Sequence, residues 1–223
     1  SEMCIRDSYE GYELKLNSYD LGVDIELNDA IQRLRFENPK VKVVILKSGK
    51  DKVFCAGANI KMLGGASHAD KVNFCKFTNE TRGAIEDASQ NSGQIYIAAV
   101  EGACAGGGLG LALACDVRIA TSGAKIAASY SGMGLSPDGG TTWLLPRLVG
   151  TQNSRKFFFE NSIWNAQQSL DYGAIDELVE TSELLSRATE VAKLWSSWGQ
   201  HTKEATKHLL DVQTHHDFET HLK

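Results

Sequence analysis

Three consecutive glycines at 106–108 split the stretch AAVEGACAGGGLGLALACD (98–116) into two apolar runs. The second run is leucine and alanine, a helix-forming mixture. A strand that enters a helix through a tight corner fits that order. Glycine has no Cβ, so another segment or a ligand can approach such a corner closely. The first N–H groups of a helix have no partner inside it, which suits them to an oxygen carrying negative charge. The corner serves either close packing or anion binding, and the stretch alone leaves both open.

The chain has 223 residues, 42% of them hydrophobic, enough for one sizeable core. Its net charge is −5 and it has no Lys/Arg run, which excludes a sequence-wide basic field for nucleic acid. The five cysteines, Cys4, Cys55, Cys75, Cys104 and Cys115, lack metal-type spacing. Buried, reduced thiols in a cytoplasmic protein are expected. The longest apolar region, 95–120, is interrupted by Glu101, the glycines, Asp116 and Arg118. It falls short of the roughly 18 uninterrupted residues of a membrane helix. Residues 1–8, SEMCIRDS, match no signal or transit pattern and look like translated adapter sequence, so they are set outside the fold.

Hydrophobic periodicity predicts strands at 11–17, 41–46, 53–55, 95–100, 116–121, 125–128 and 175–179. Helices are expected at 23–36, 68–89, from Leu109, and at 141–149, 152–161, 166–172, 182–198 and 202–223, with a short helix or a loop at 60–66. On the first helix the expected apolar face is Ile25, Leu27, Ala30, Ile31, Leu34 and Phe36; on the third it is Val72, Phe74, Cys75, Phe77 and Ile85. Strands alternating with helices argue for an α/β fold with a parallel sheet. The expected organisation is one structural domain, with a core over 9–160 and a helical C-terminal region over 161–223.

Two segments share a physical character. Cys55-Ala56-Gly57-Ala58 and Cys104-Ala105-Gly106-Gly107 each end a strand in small residues and expose a backbone N–H, at Ala58 and at Gly107. Two such groups aimed at one point make an oxyanion hole for an enolate or tetrahedral anion. Asp138, in Ser136-Pro137-Asp138-Gly139-Gly140, is either a base raised in pKa by burial or the N-cap of the helix near Thr141.

The motifs FCAGANIKM (54–62), AAVEG (98–102) with AGGG (105–108), and GLSPDGGTTWLLPRLVG (134–150) resemble the crotonase (enoyl-CoA hydratase/isomerase) family. The resemblance spans about 11–215. It implies a spiral of ββα units with a helical C-terminal extension, a homotrimer or dimer of trimers, and acyl-CoA thioester substrates. CoA is then part of the substrate, with no separate cofactor and no metal. The implied oxyanion donors are the N–H groups of Ala58 and Gly107. The implied substrate-lining residues are Ala56, Asn59, Ile60, Lys61, Gly106, Gly108, Tyr130 and Pro137. Asn59 either meets substrate or supports its loop, Lys61 either meets a CoA phosphate or stays solvated, and Tyr130 either contacts substrate or packs its ring.

Hydratases of this family carry two glutamates that activate water. Their positions here hold Gly110 and, near the second, Tyr130. The remaining acid, Asp138, is placed as in isomerase-type members, where one carboxylate shuttles a proton along the acyl chain. Enoyl-CoA isomerisation is therefore expected. Hydration, ring opening of an aromatic CoA epoxide, and a catalytically degenerate acyl-CoA-binding subunit are the alternatives.

Other motifs fail. A dinucleotide fingerprint needs glycine at Leu111, and neither GxSxG nor a P-loop is present. His201, His208, His215, His216 and His221 are expected at the surface. Glu101 is expected in a turn.

The two halves point to different branches. Residues 11–108 resemble the N-terminal unit of ring-opening lyases for aromatic CoA thioesters, and 109–215 resemble enoyl-CoA isomerases of the phenylacetate type. A join between two parents at the glycine corner is one expectation, and a natural member of mosaic character is the other. By family resemblance, an opening strand before the first helix and further helices after Lys223 are expected to be missing, and those helices help complete the CoA site.

Overall fold

The computed structural model describes residues 16–221. Most of the strand expected at 11–17 lies outside them, as do residues 1–8 and Cys4. Leu16 and Asn17 form a turn with positive φ.

Helix α1 is Leu21–Phe36, started by Asp20, whose carboxylate accepts the Val23 N–H at 2.9 Å. Its buried positions are Asp24 and Ile31, while Ile25 and Phe36 are exposed. The core side is thus rotated from the expected face, because a buried aspartate occupies part of it. Strands β1 (Val43–Lys47) and β2 (Val53–Cys55) lead to α2 (Ile60–Gly65) and α3 (His68–Asn91). A Ser67/Asp70 capping box starts α3. Phe74, Thr78, Thr81, Ile85 and Ala88 are its core face at helical spacing, and Val72 and Phe77 are exposed. Two threonines take places that hydrophobicity alone would give to apolar residues.

Then follow β3 (Ile95–Val100), β4 (Ala103–Ala105), α4 (Gly107–Ala114), β5 (Val117–Thr121) and β6 (Lys125–Ala127). The chain continues through α5 (Thr141–Val149), α6 (Thr151–Phe159), β7 (Ile163–Asn165), α7 (Ala166–Tyr172), β8 (Glu177–Val179), α8 (Leu184–Ser196), α9 (Gln200–Val212) and α10 (Phe218–His221). Strands β1 to β6 alternate between two sheets, and β7 stays in the sheet of β6. One is fully parallel with order β1-β3-β5-β8; the other runs β2-β4-β6-β7, its last pair antiparallel. The expected strands do not include β4 (Ala103–Ala105) or β7 (Ile163–Asn165), each three residues long and held by pairing with neighbouring strands. The helix expected over 202–223 is broken between α9 and α10.

All six residues of β3 are buried, and α4 is buried from Gly108 to its end. Fully buried Tyr96, Ile85, Leu109, Leu145 and Phe157 place the centre of the core around these two elements. Burial of each such side chain contributes roughly 1.5–3 kcal/mol. α9 buries none of its residues. It is tied down by Lys207, whose ammonium meets Asp116 at 2.6 Å and also reaches the Ser89 hydroxyl. Asp116 in turn accepts the Tyr96 N–H at 2.8 Å. Among the described residues, no helix is long and apolar enough to cross a membrane.

Candidate active site

Parallel pairing puts Cys55 in register with Cys104, so the two small-residue segments leave their strands side by side. They then touch. A Cβ on Gly57, where φ is +85°, would stand 2.8 Å from the Ala105 carbonyl oxygen. Only glycine permits that approach. Gly108 abuts Cys55 in the same way. Tyr19 secures the other side of the loop: its N–H donates to Gly57 O at 2.7 Å, and Asn59 N–H donates to Tyr19 O at 2.8 Å. The alternation turns the Ala58 N–H away from Tyr19, with no backbone acceptor among the described residues. Gly107 opens α4, so its N–H lacks an intrahelical acceptor. Gly106 bends into that helix at φ +51° and donates to Ala127 O at 3.3 Å.

Asp138 lies half-buried just before α5. The helix is not capped by its carboxylate. Gly140 occupies the N-cap position, and the Asp138 main-chain carbonyl accepts the Thr141 N–H and hydroxyl at 3.1 and 2.9 Å. The side chain faces elsewhere. Oδ1 accepts from the Tyr130 hydroxyl at 3.2 Å, and Oδ2 accepts from the Cys75 thiol at 3.8 Å. Burial pushes the Asp138 carboxyl above its ordinary value, opposed by these two hydrogen bonds, which favour the anion. Burial and the neighbouring Asp138 push the Cys75 thiol and the Tyr130 phenol up.

Gly110 packs under the same loop. A Cβ there would lie 3.0 Å from the Gly139 carbonyl oxygen. The loop that carries Asp138 therefore occupies the space next to the position where a hydratase-type glutamate would project.

The remaining residues that the sequence nominates divide cleanly. Asn59 is buried and supports its loop, capping α2 through the Met62 N–H at 3.1 Å and donating to the Ser18 hydroxyl at 3.2 Å. Tyr130 is buried with its ring against Phe158, at 6.4 Å between centroids, and its hydroxyl is directed to Asp138. Ala56 and Pro137 are half-buried, and Ile60 and Lys61 are exposed. Glu101 accepts the Lys52 N–H at 3.4 Å, a turn role. His201 is exposed, and His215 stacks on Trp143. Burial pushes the thiols of Cys55 and Cys115 up to about 11 and about 12, as befits unreactive core cysteines.

The enoyl-CoA hydratase/isomerase family model matches residues 13–223. The chain belongs to the enoyl-CoA hydratase/isomerase family. This family member is 31% identical over 185 residues to a crotonyl-CoA hydratase from Syntrophomonas wolfei, covering 83% of the chain and 69% of that protein. It is 69% identical over 106 residues to a benzoyl-CoA-dihydrodiol lyase from Aromatoleum evansii. That match covers 48% of the chain and spans only 19% of the lyase. An enoyl-CoA hydratase structure from Geobacillus kaustophilus superposes with a TM-score of 0.85 at 32% identity, covering 95% of this chain and 78% of that one.

Sequence reasoning does not single out Cys75, Tyr19 or Asp24. Cys75 reads as one more apolar position on α3, and its approach to Asp138, 63 residues away, exists only in the folded chain. Asp24 is buried and accepts a hydrogen bond from the Tyr19 hydroxyl. A charge inside an otherwise apolar helical face is the available signal.

Proposed function

We propose that this enoyl-CoA hydratase/isomerase family member moves the double bond of an enoyl-CoA thioester. The carbonyl oxygen of the thioester sits between the Ala58 and Gly107 N–H groups. Asp138 removes a proton from the α-carbon, and the electron pair passes into a dienolate whose oxygen those N–H groups hold. Asp138 then returns the proton to the γ-carbon, so the double bond moves from the 3 to the 2 position with no net change in atoms. The observation that carries this reading is Asp138 itself: a half-buried carboxylate that does not cap its helix, beside a Gly110 that supplies no second acid. Two oriented N–H donors stabilise a developing oxyanion by about 3–4 kcal/mol each where single donors have been removed elsewhere. Proximity of the α-carbon to the base supplies the rest.

On this reading CoA enters as part of the substrate, no separate cofactor takes part, and the chain works in the cytoplasm as a homotrimer or dimer of trimers. Sedimentation of the purified protein tests the assembly. A second reading, water addition or ring opening, is favoured by the hydratase and lyase relatives. Incubation with crotonyl-CoA in D2O separates the two. Deuterium at the γ-carbon supports isomerisation, whereas 3-hydroxybutyryl-CoA without γ-exchange supports hydration.

A further inference from the structure

We propose that Tyr130 and Cys75 are positioning residues that aim the Asp138 carboxylate at the substrate carbon. The proposal rests on Asp138 being the proton carrier. A carboxyl group on a short stem turns easily about its terminal torsion. Here each oxygen receives a hydrogen bond from another side chain, and the two donors come from different elements. Oδ1 is held by Tyr130, just past β6, at 3.2 Å, and Oδ2 by Cys75 on α3 at 3.8 Å. Rotation of the carboxyl breaks both.

The donors are themselves fixed. The Tyr130 ring is buried against Phe158, and Cys75 is flanked on α3 by buried Phe74 and, one turn on, Thr78. The Asp138 main chain is anchored by Thr141. Other groups near the loop are accounted for. From α3, Arg82 packs under Gly140 and pairs with Glu86 at 2.7 Å. α4 carries no titratable side chain. No ion pair reaches Asp138 among the described residues. Together with the main-chain N–H of Asp138 itself, the two neutral side-chain donors oppose burial and keep the carboxylate available as a base. Each oxygen keeps a further lone pair for the proton it transfers.

The test is the pH profile of γ-deuterium exchange into crotonyl-CoA for the full chain, wild type against Tyr130→Phe, Cys75→Ala and Cys75→Ser. Loss of a donor to the anion favours the protonated acid, so the acid limb of kcat/KM moves to higher pH in Tyr130→Phe and in Cys75→Ala. In both, kcat falls about tenfold while KM changes less than about twofold, the scale expected for a hydrogen bond to a charged group. Cys75→Ser, which keeps a donor, moves the limb less than Cys75→Ala. An acid limb that stays in place in both Tyr130→Phe and Cys75→Ala overturns the proposal. Should Tyr130→Phe not fold, the Cys75→Ala and Cys75→Ser pair decides alone. Asp138→Asn is run alongside: if it retains wild-type exchange, the isomerase reading itself fails, and with it this proposal.

Discussion

Gly110 on α4 lies against Gly139, so closely that a Cβ at 110 would stand 3.0 Å from the Gly139 carbonyl oxygen. The contact joins the helix that offers the Gly107 N–H to the loop that carries Asp138. Two effects compete on Gly110→Ala. Helix propensity gains about 1 kcal/mol, whereas forced packing against backbone costs about 1–3 kcal/mol. Stability is therefore expected to stay within about 2 kcal/mol of wild type by denaturant unfolding. Exchange activity is expected to fall by about tenfold or more, because a small displacement of a catalytic group is costly. Equal, small changes in both contradict this view of the contact.

Gly110→Glu restores the acid of a two-glutamate hydratase in sequence but not in space. Its stem must displace Gly139. The expected outcome is no gain of 3-hydroxybutyryl-CoA from crotonyl-CoA, followed by chromatography. A clear gain would show that the loop yields easily.

Asp24 gives a pH prediction with a definite sign. Burial is the main cause of its raised pKa, opposed by hydrogen bonds from Tyr19 and Thr81. The folded chain then holds this proton more tightly than the unfolded chain does. Between the ordinary value of 3.8 and the raised folded value, the folded state binds more protons, so this residue's contribution to stability falls as pH rises. Denaturant unfolding of wild type and Asp24→Asn is expected to show the variant gaining relative to wild type as pH rises through that window. A constant difference contradicts the assignment.

Much of this architecture is legible in the chain of residues. The run 95–100 is apolar throughout and forms β3, buried at every residue. The glycines at 106–108 mark the corner into α4. What stays hidden is tertiary. Strand β4 is three residues long and depends on pairing with β2 and β6. Asp24, Thr78 and Thr81 take core positions because partners in the fold satisfy them, as Thr78 does by donating to Phe74 O at 2.9 Å. Asp138 is visible as an acid next to two glycines, with base and cap both open. Its freedom from capping becomes evident only when Gly140 takes the N-cap place.

The Lys207–Asp116 ion pair predicts how α9 is held. α9 buries no residue, so this contact to the core carries much of its attachment. Lys207→Ala leaves a largely buried Asp116 short of a cation, a loss of about 1–3 kcal/mol. Amide exchange is expected to speed up in α9 before β3. Uniform acceleration across both elements contradicts a local role.

Proton transfer by Asp138 is tested most directly by γ-deuterium incorporation into crotonyl-CoA in D2O, comparing wild type with Asp138→Asn. The variant keeps the shape of the side chain and removes its basicity. The account predicts that Asp138→Asn still binds the thioester but exchanges at least about a hundredfold more slowly, the scale of a lost general base. Exchange at the wild-type rate in Asp138→Asn would contradict it.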